Sequence, residues 1–209
     1  HVGLAIVGGS LLPTYTMRVE QEPGESHPTV VIQATLREGE RLLFAMGVGR
    51  SALAAHRLVE TELQQRNFDA ELAQTLHCWR SWVQNCNYSG PYAQLVERSA
   101  LVLKMMTYAP TGAIVAAPTT SLPEDLGGER NWDYRFTWLR DASFTLYALS
   151  VLGFTEEAHA FTHWLQRLSF SDGEDLQIMY GIRGERELVE QELSHLSGYC
   201  HSRPVRIGN

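Results

Sequence analysis

The chain has 209 residues, 44% of them hydrophobic and 20% charged, with a net charge of −7; this is an ordinary globular composition, long enough for one large domain or two small ones. The acidic balance, with no basic stripe, excludes nucleic acid as the main partner, because that binding draws on clustered Lys and Arg to neutralise phosphates. No apolar run approaches the ~18 residues of a membrane span, and the opening segment lacks the basic, apolar and cleavage-site order of a signal peptide, although its first residue is His1 and not Met.

The first part reads as strands. Gly3 to Val7, Thr14 to Glu20, Thr29 to Leu36 and Arg41 to Val48 mix β-branched and apolar residues with alternation, separated by turn signals at Pro13, Pro23-Gly24 and Glu38-Gly39-Glu40. Strands that begin almost at the first residue leave edges that a complete sandwich would pair, so further sequence is expected upstream. From Ala52 the spacing turns helical. Helices are expected over Ala52 to Gln65 and Asp69 to Gln84, with Asp69 as a cap and Leu72, Leu76, Trp79 and Val83 on one face. A third, Pro91 to Tyr108, has little polar face and is expected to be buried on most sides. Arg98 interrupts it, either as part of a lined cavity or as a long side chain running out to solvent.

Pro110 to Arg135 has no helical period, and a loop of that length inside a compact domain is usually functional. Asp141 is expected to cap a helix that runs through Phe144, Leu146, Tyr147, Leu149 and Leu152 and stops at Gly153. The next helix starts at Thr155 with Glu156 and Glu157, and its buried stripe is Ala158, Phe161, Trp164, Leu165 and Leu168. A short apolar segment, Leu176 to Tyr180, a charged helix, Glu185 to Leu196, and an irregular end from Ser197 follow. Without a closing helix, the chain is expected to continue beyond Asn209.

Cys78, Cys86 and Cys200 form an odd set without metal-ligand spacing, which fits buried thiols in a reduced, cytoplasmic setting better than a disulfide framework. Carried on one helix, Cys78 and Cys86 would stand ~12 Å apart, too far to bridge. His159 and His163 lie one helical turn apart, but Ala160 replaces the Glu of the zinc motif and both sit opposite the apolar stripe, so they read as a wet helix face and no metal or other cofactor is expected. Glu185, Glu187, Glu190 and Glu192 read as solvated charge. There is no phosphate-cradling Gly-rich loop and no Gly-x-Ser-x-Gly elbow.

The informative stretch is Asn131-Trp-Asp-Tyr-Arg-Phe-Thr-Trp-Leu-Arg-Asp141. Aromatic rings can cover the C–H face of a pyranose, and charged forks can hold its rim of hydroxyls. The plainer alternative is a loop whose aromatics plug a core and whose Arg140 pairs with a neighbouring acid. The roles of Asp141 as cap and as ligand are compatible, since one carboxylate oxygen can serve the backbone and the other a hydroxyl.

Tyr88-Ser-Gly90, Val96-Glu-Arg-Ser-Ala-Leu-Val-Leu-Lys104, the run from Pro110 to Glu124, Gly127-Gly-Glu-Arg-Asn-Trp-Asp-Tyr-Arg135, Trp138-Leu-Arg-Asp141 and Pro204-Val-Arg-Ile-Gly-Asn209, in this order, resemble glycoside hydrolase family 15, the glucoamylase, glucodextranase and trehalase group, in its bacterial and archaeal branch. The resemblance covers nearly the whole chain, although the first fifty residues match mainly in character. It implies a mostly α fold with an N-terminal β part: the end of a β-sandwich over residues 1–51, linker helices over 52–90, and the first half of an (α/α)6 barrel over 91–209. It implies that Tyr134, Trp138, Arg140 and Asp141 hold the terminal glucose of an α-glucoside or oligosaccharide, rings over the sugar face and the Arg and Asp on two hydroxyls, with His201 and Arg206 on a second loop near the same mouth.

Inverting glycosidases need an acid and a base carboxyl ~6.5 to 9.5 Å apart. The family supplies both as glutamates later in the barrel, so Glu124, Glu129 and Asp133, though acids near the expected pocket, are given no catalytic duty. The chain is therefore expected to be the sugar-gripping part of an enzyme that releases glucose with inversion from α-glucan ends or trehalose, and to be inactive alone. The alternatives are a non-catalytic carbohydrate-binding or scaffold protein that keeps Trp138 and Arg140, and a phosphorylase of the same architecture. The sequence carries no signal of oligomeric state.

Overall fold

The structure, a computed structural model, describes residues 2–8, 15–21, 29–40, 42–65, 67–169 and 176–209. Two compact units divide at residue 76.

In the first unit, β1 (Val2–Gly8) pairs antiparallel with β4 (Leu42–Val48), and β2 (Tyr15–Glu20) with β3 (Thr29–Ala34). The expected strands are all present, and the turn at Glu38-Gly39-Glu40 closes on a bond from the Glu40 N–H to the Arg37 carbonyl, 3.0 Å. The turn signals at Pro13 and Pro23-Gly24, and the strand ends at Thr14 and Arg41, lie outside the described residues. Helix α1 (Ala52–Gln65) has the expected bounds, and the Ser51 hydroxyl caps it by accepting from the Ala54 N–H at 3.2 Å. It packs on β4 through Ala55 and Val59, both buried. Gly47 permits that approach: a Cβ there would come within 2.6 Å of the Val59 side chain.

Helix α2 (Phe68–Val83) is capped by Asn67, whose Oδ1 accepts from the Ala70 N–H at 3.2 Å, and not by Asp69, which lies inside the helix where its charge favours the N-terminus. Its expected apolar face is not buried: Leu72 and Leu76 are exposed, and the packing is made instead by Trp82, whose ring stacks on Phe154 with centroids 4.0 Å apart. Cys78 and Cys200 are exposed and Cys86 is partly buried, which corrects the expectation of buried thiols; all three are free.

The second unit is helical with small antiparallel ladders. Helix α3 (Ala93–Met105) is shorter than expected, because Thr107–Tyr108 leave it as β5 and pair with β6 (Ala113–Ile114). Only Ala100 in it is buried, and Leu95, Val102 and Met105 are exposed. Arg98 is exposed, the side chain running out to solvent. A short strand β7 (Thr137–Trp138) leads directly into α4 (Leu139–Val151), followed by α5 (Glu156–Ser169) and β8 (Met179–Tyr180), which pairs with β7.

Gly153 ends α4 as its spacing implies. It sits at φ 95°, donates to the Ser150 carbonyl at 3.0 Å, and lets the Phe154 N–H reach the Leu149 carbonyl at 2.9 Å, the paired-bond helix stop in which the two flanking apolar residues also meet. Both Leu149 and Phe154 belong to one buried cluster with Ala100. A second cluster joins Ala113, Ile114, Ala142, Phe161, Trp164 and Tyr180, with Leu165 and Leu168 against it, so the expected stripe of α5 is the buried one. Gly153→Ala should lower stability by about 1–2 kcal/mol, since the left-handed conformation opposes a Cβ and that Cβ would meet the Asn87 amide at 2.3 Å. A thermal melt checks this; an unchanged midpoint would refute it.

The expected helix over Glu185 to Leu196 is absent. Its backbone groups are spent elsewhere: the Glu185 carbonyl accepts from nearby Gly181, the Leu188 carbonyl from distant Asn209, and the Leu193 N–H donates to Val205, while β9 (Gln191–Glu192) pairs with β10 (Arg206–Ile207). A segment with four glutamates and little apolar stripe has nothing to gain from a helix that would forfeit those bonds. Among the described residues, no helix is long and apolar enough to cross a membrane.

Candidate functional site

The loop over residues 115–136 folds back on itself as an irregular antiparallel ladder. The Ala116 N–H donates to the Phe136 carbonyl at 3.0 Å, Ala117 to Tyr134 at 2.9 Å and Ser121 to Trp132 at 2.9 Å, with a bridge between Thr120 and Asp133. Extended backbone sends alternate side chains to opposite faces. Trp132 and Tyr134 thus share one face and line an open cavity, whereas Asp133 and Arg135 point the other way and do not.

The cavity has a volume of about 350 Å³ and is lined by Ala116, Glu124, Trp132, Tyr134, Trp138, Arg140, Asp141 and Asn209. Trp138 is the last residue of β7 and the flanking residue of α4, with extended φ −82°, ψ 125°, so strand turns to helix at the mouth itself. Arg140 and Asp141 follow in the first helical turn. Trp138, and not Asp141, occupies the cap position, and it makes no side-chain cap bond. Asp141 lies three residues further in, where the helix N-terminus still favours a carboxylate.

Arg140 is held on two sides. Its guanidinium lies 5.4 Å over the centre of the Trp138 ring, and its Nε and Nη2 donate to Asp141 Oδ2 at 3.2 and 3.1 Å. Among the described residues, Asp141 Oδ1 and Arg140 Nη1 make no hydrogen bond, and the two side chains are 39% and 70% exposed, so an acceptor and a donor stand open to the cavity. The Trp138 indole N–H is covered and unpartnered; this residue offers ring surface, not a donor. The Tyr134 hydroxyl lies 3.5 Å from Glu124 Oε1. Burial first, then the charge of Glu124 and that contact, push the phenol above its ordinary value, so it remains a donor.

Behind the aromatic face, side chains knit the loop to the C-terminal segment. Asp133, with its carboxylate wholly buried, accepts from Arg135 Nε at 2.8 Å, Arg135 Nη2 at 2.7 Å and the Gly208 N–H at 3.0 Å. Burial alone would raise its pKa, but the bonds from the Arg135 side chain and from the Arg135 and Gly208 backbone, with the Arg135 charge, hold it below the usual carboxylate range. The Thr120 and Ser121 hydroxyls donate to the Arg206 carbonyl at 2.6 and 2.7 Å, and Asn131 Nδ2 donates to the Pro204 carbonyl at 3.1 Å. Asn209 is fixed by its N–H on the Leu188 carbonyl at 2.9 Å and its Nδ2 on the Asp133 carbonyl at 3.2 Å.

Tyr134, Trp138, Arg140 and Asp141 therefore share one open concavity. His201 is exposed and lies outside it. Arg206 also lies outside the lining, with its guanidinium 4.8 Å over Trp132 and its Nη1 on the Glu129 carbonyl at 3.0 Å. The Asn209 wall was not singled out by reading the sequence, and its only sequence sign was the closing motif. Trp132 was legible in principle from the alternation of ring and charge over residues 132–135. His159 and His163 are exposed on α5.

Residues 90–209 match Glycosyl hydrolases family 15. Over 92% of its length the chain is 44% identical to a trehalase of Mycobacterium tuberculosis and 43% identical to a trehalase of Mycolicibacterium smegmatis. A trehalase of Thermoplasma acidophilum is 48% identical over 66% of the chain. The chain spans 30% of the length of each mycobacterial relative and 23% of the archaeal one. No solved structure matches it significantly. A family match over more than half of the residues, containing every group that lines the cavity, establishes that the chain belongs to glycosyl hydrolases family 15.

Proposed function

We propose that this cavity grips the terminal glucosyl unit of an α-glucoside, in a longer hydrolase to which the chain contributes the sugar-holding part. Trehalose is the first candidate substrate, because the relatives spanning most of the chain are trehalases. The carrying observation is Arg140, fixed between the Trp138 ring and Asp141 at the rim of an open cavity. A donor fork already ordered loses little freedom on meeting a hydroxyl. Trp132, Trp138 and Tyr134 offer ring faces to the C–H surface, Arg140 donates to one hydroxyl, and Asp141 Oδ1 accepts from another. Arg206 positions Trp132 and does not touch the sugar.

In this reading the acid and base carboxyls of an inverting displacement lie in the remainder of the protein. Residues 1–51 end a β-sandwich, 52–90 link, and 91–209 begin an (α/α)6 barrel whose other helices cover the exposed Phe144, Tyr147 and Val151 of α4.

Arg140→Ala in the complete protein should weaken trehalose binding by about 1.5–3 kcal/mol, the worth of a hydrogen bond to a charged group. The melting temperature should hardly move, since the side chain is mostly in water. A lowered melting temperature with unchanged sugar affinity would mean that Arg140 is a packing residue and the proposal is wrong.

A further inference from the structure

Helix α5 carries two imidazoles that the sugar cavity does not use. His159 and His163 are both exposed, stand four residues apart on the helix, and line one open hollow of about 370 Å³ with Ala158, Thr162 and Gln166. We propose that this hollow is a surface site for a single transition-metal cation, Cu²⁺, Ni²⁺ or Zn²⁺, chelated by the two imidazoles. The proposal stands apart from the reading of the cavity and does not depend on it.

Four residues of helix advance about 6 Å along the axis, and side chains so spaced lie one above the other with Cβ atoms about 5–6 Å apart. Ring nitrogens reaching out from those positions can meet at one ion, about 2.0–2.1 Å from each. The same spacing holds zinc on helices with the His-Glu-x-x-His motif, where the glutamate is the general base and not a ligand. Ala160 in place of that glutamate therefore removes the hydrolytic group and leaves both ligands. A wet helix face and a metal site are compatible, since a ligating imidazole needs a ring nitrogen that is not already engaged. Among the described residues, neither imidazole makes a hydrogen bond or an ion pair.

The surroundings favour a cation. No Lys or Arg lines the hollow, and Arg167, one turn beyond His163, has its guanidinium held on the Thr111 carbonyl at 3.0 Å. Glu156, three residues before His159, is exposed and adds negative charge at that end. The Thr162 hydroxyl donates to the Ala158 carbonyl at 2.7 Å, so its oxygen can accept from a metal-bound water, as can the Gln166 amide oxygen. Two imidazoles with water in the remaining positions suit Zn²⁺, Ni²⁺ and Cu²⁺, the last most tightly, and not Mg²⁺ or Ca²⁺, which take oxygen ligands. The opposite face of α5 is seated by the buried Phe161 and Trp164, so the ion braces the wet side of a helix already anchored.

The test is a calorimetric titration of the complete, metal-free protein with Ni²⁺, its thiols alkylated because Cys78 and Cys200 are exposed and would compete. His159→Asn and His163→Asn should each weaken this site at least about tenfold, because a lone imidazole forfeits the gain of a second ligand held close by. Added Ni²⁺ should raise the melting temperature of the parent more than that of either variant, and EDTA should reverse the rise; without metal all three should melt alike, both side chains being in water. His56→Asn, which disturbs the exposed His56–Glu60 pair at 3.1 Å, should leave the number of bound ions and their affinity unchanged. A parent with no saturable uptake of Ni²⁺, uptake that persists unaltered in both variants, or a loss confined to one of the two overturns the site.

Discussion

Lys104→Met should destabilise the chain by about 3 kcal/mol at neutral pH, because it strands a buried carboxylate. Glu157 sits in the first turn of α5 with its side chain 1% exposed, and it accepts from Lys104 Nζ at 2.6 Å and from the Trp82 indole N–H at 3.0 Å. The low end of the range for a broken buried pair is the right one, as the Lys104 side chain keeps about a third of its surface in water. Burial works to raise the Glu157 pKa; the Lys104 hydrogen bond, the backbone and Trp82 bonds and the Lys104 charge outweigh it and lower it. A carboxyl lowered on folding stabilises fully above its unfolded value, near 4, and that contribution drains away as pH falls through the folded value. Without Lys104, only the backbone and Trp82 bonds remain to offset burial, and the acid form gains ground. The gap between parent and variant should therefore be widest near pH 7 and narrow toward pH 3 in denaturant titrations. Adding Glu157→Leu should recover most of the loss, since an apolar pair of similar volume can replace a buried ion pair. A gap that is flat with pH would show that the carboxylate is not the stranded group.

Asp133→Ala should cost a further distinct amount, also about 3 kcal/mol, from the loss of charge-assisted bonds and the orphaning of backbone donors. The Gly208 N–H and the Arg135 fork would lose their common acceptor. Amide exchange at Gly208 should quicken well before the helices of the unit respond, and the cavity should lose definition at its Asn209 wall. Asp133→Asn, which keeps an acceptor, should fall in between. The sign with pH matches that of Glu157, for the folded pKa is again depressed: the stabilisation is intact above about pH 4 and fades in stronger acid. Unaltered exchange at Gly208 in Asp133→Ala would rule out the tie.

Much of this architecture was legible because it depends on local spacing. The α1 bounds, the buried stripe of α5 and the Gly153 stop follow from periods and from one backbone angle. The stretch from Asn131 to Asp141 stood out by its mixture of rings and charges, while the set Tyr134, Trp138, Arg140 and Asp141 within it was implied by the family resemblance. What escaped depends on partners far along the chain. The stretch from Glu185 to Leu196 has helical composition, yet the Leu193 amide and the Leu188 carbonyl answer to Val205 and Asn209. Asp141 and Asp69 were expected as caps from residue type alone, but the chain enters each helix earlier, at Trp138 and Asn67. Periodicity places apolar residues on one face of α2 and on most sides of α3, but it cannot say which neighbour would cover them.

The Asn209 wall carries a consequence for the order of events at birth. Tyr134 and Asp141 leave the ribosome long before Asn209 does, and the hydroxyls of Thr120 and Ser121 have no Arg206 carbonyl to meet until the same late moment. Closing a contact across so much chain is slower than winding α4 or α5. The nascent protein thus passes through a stage with its helices wound and the cavity still ungathered, until the last strand of the seam is tied.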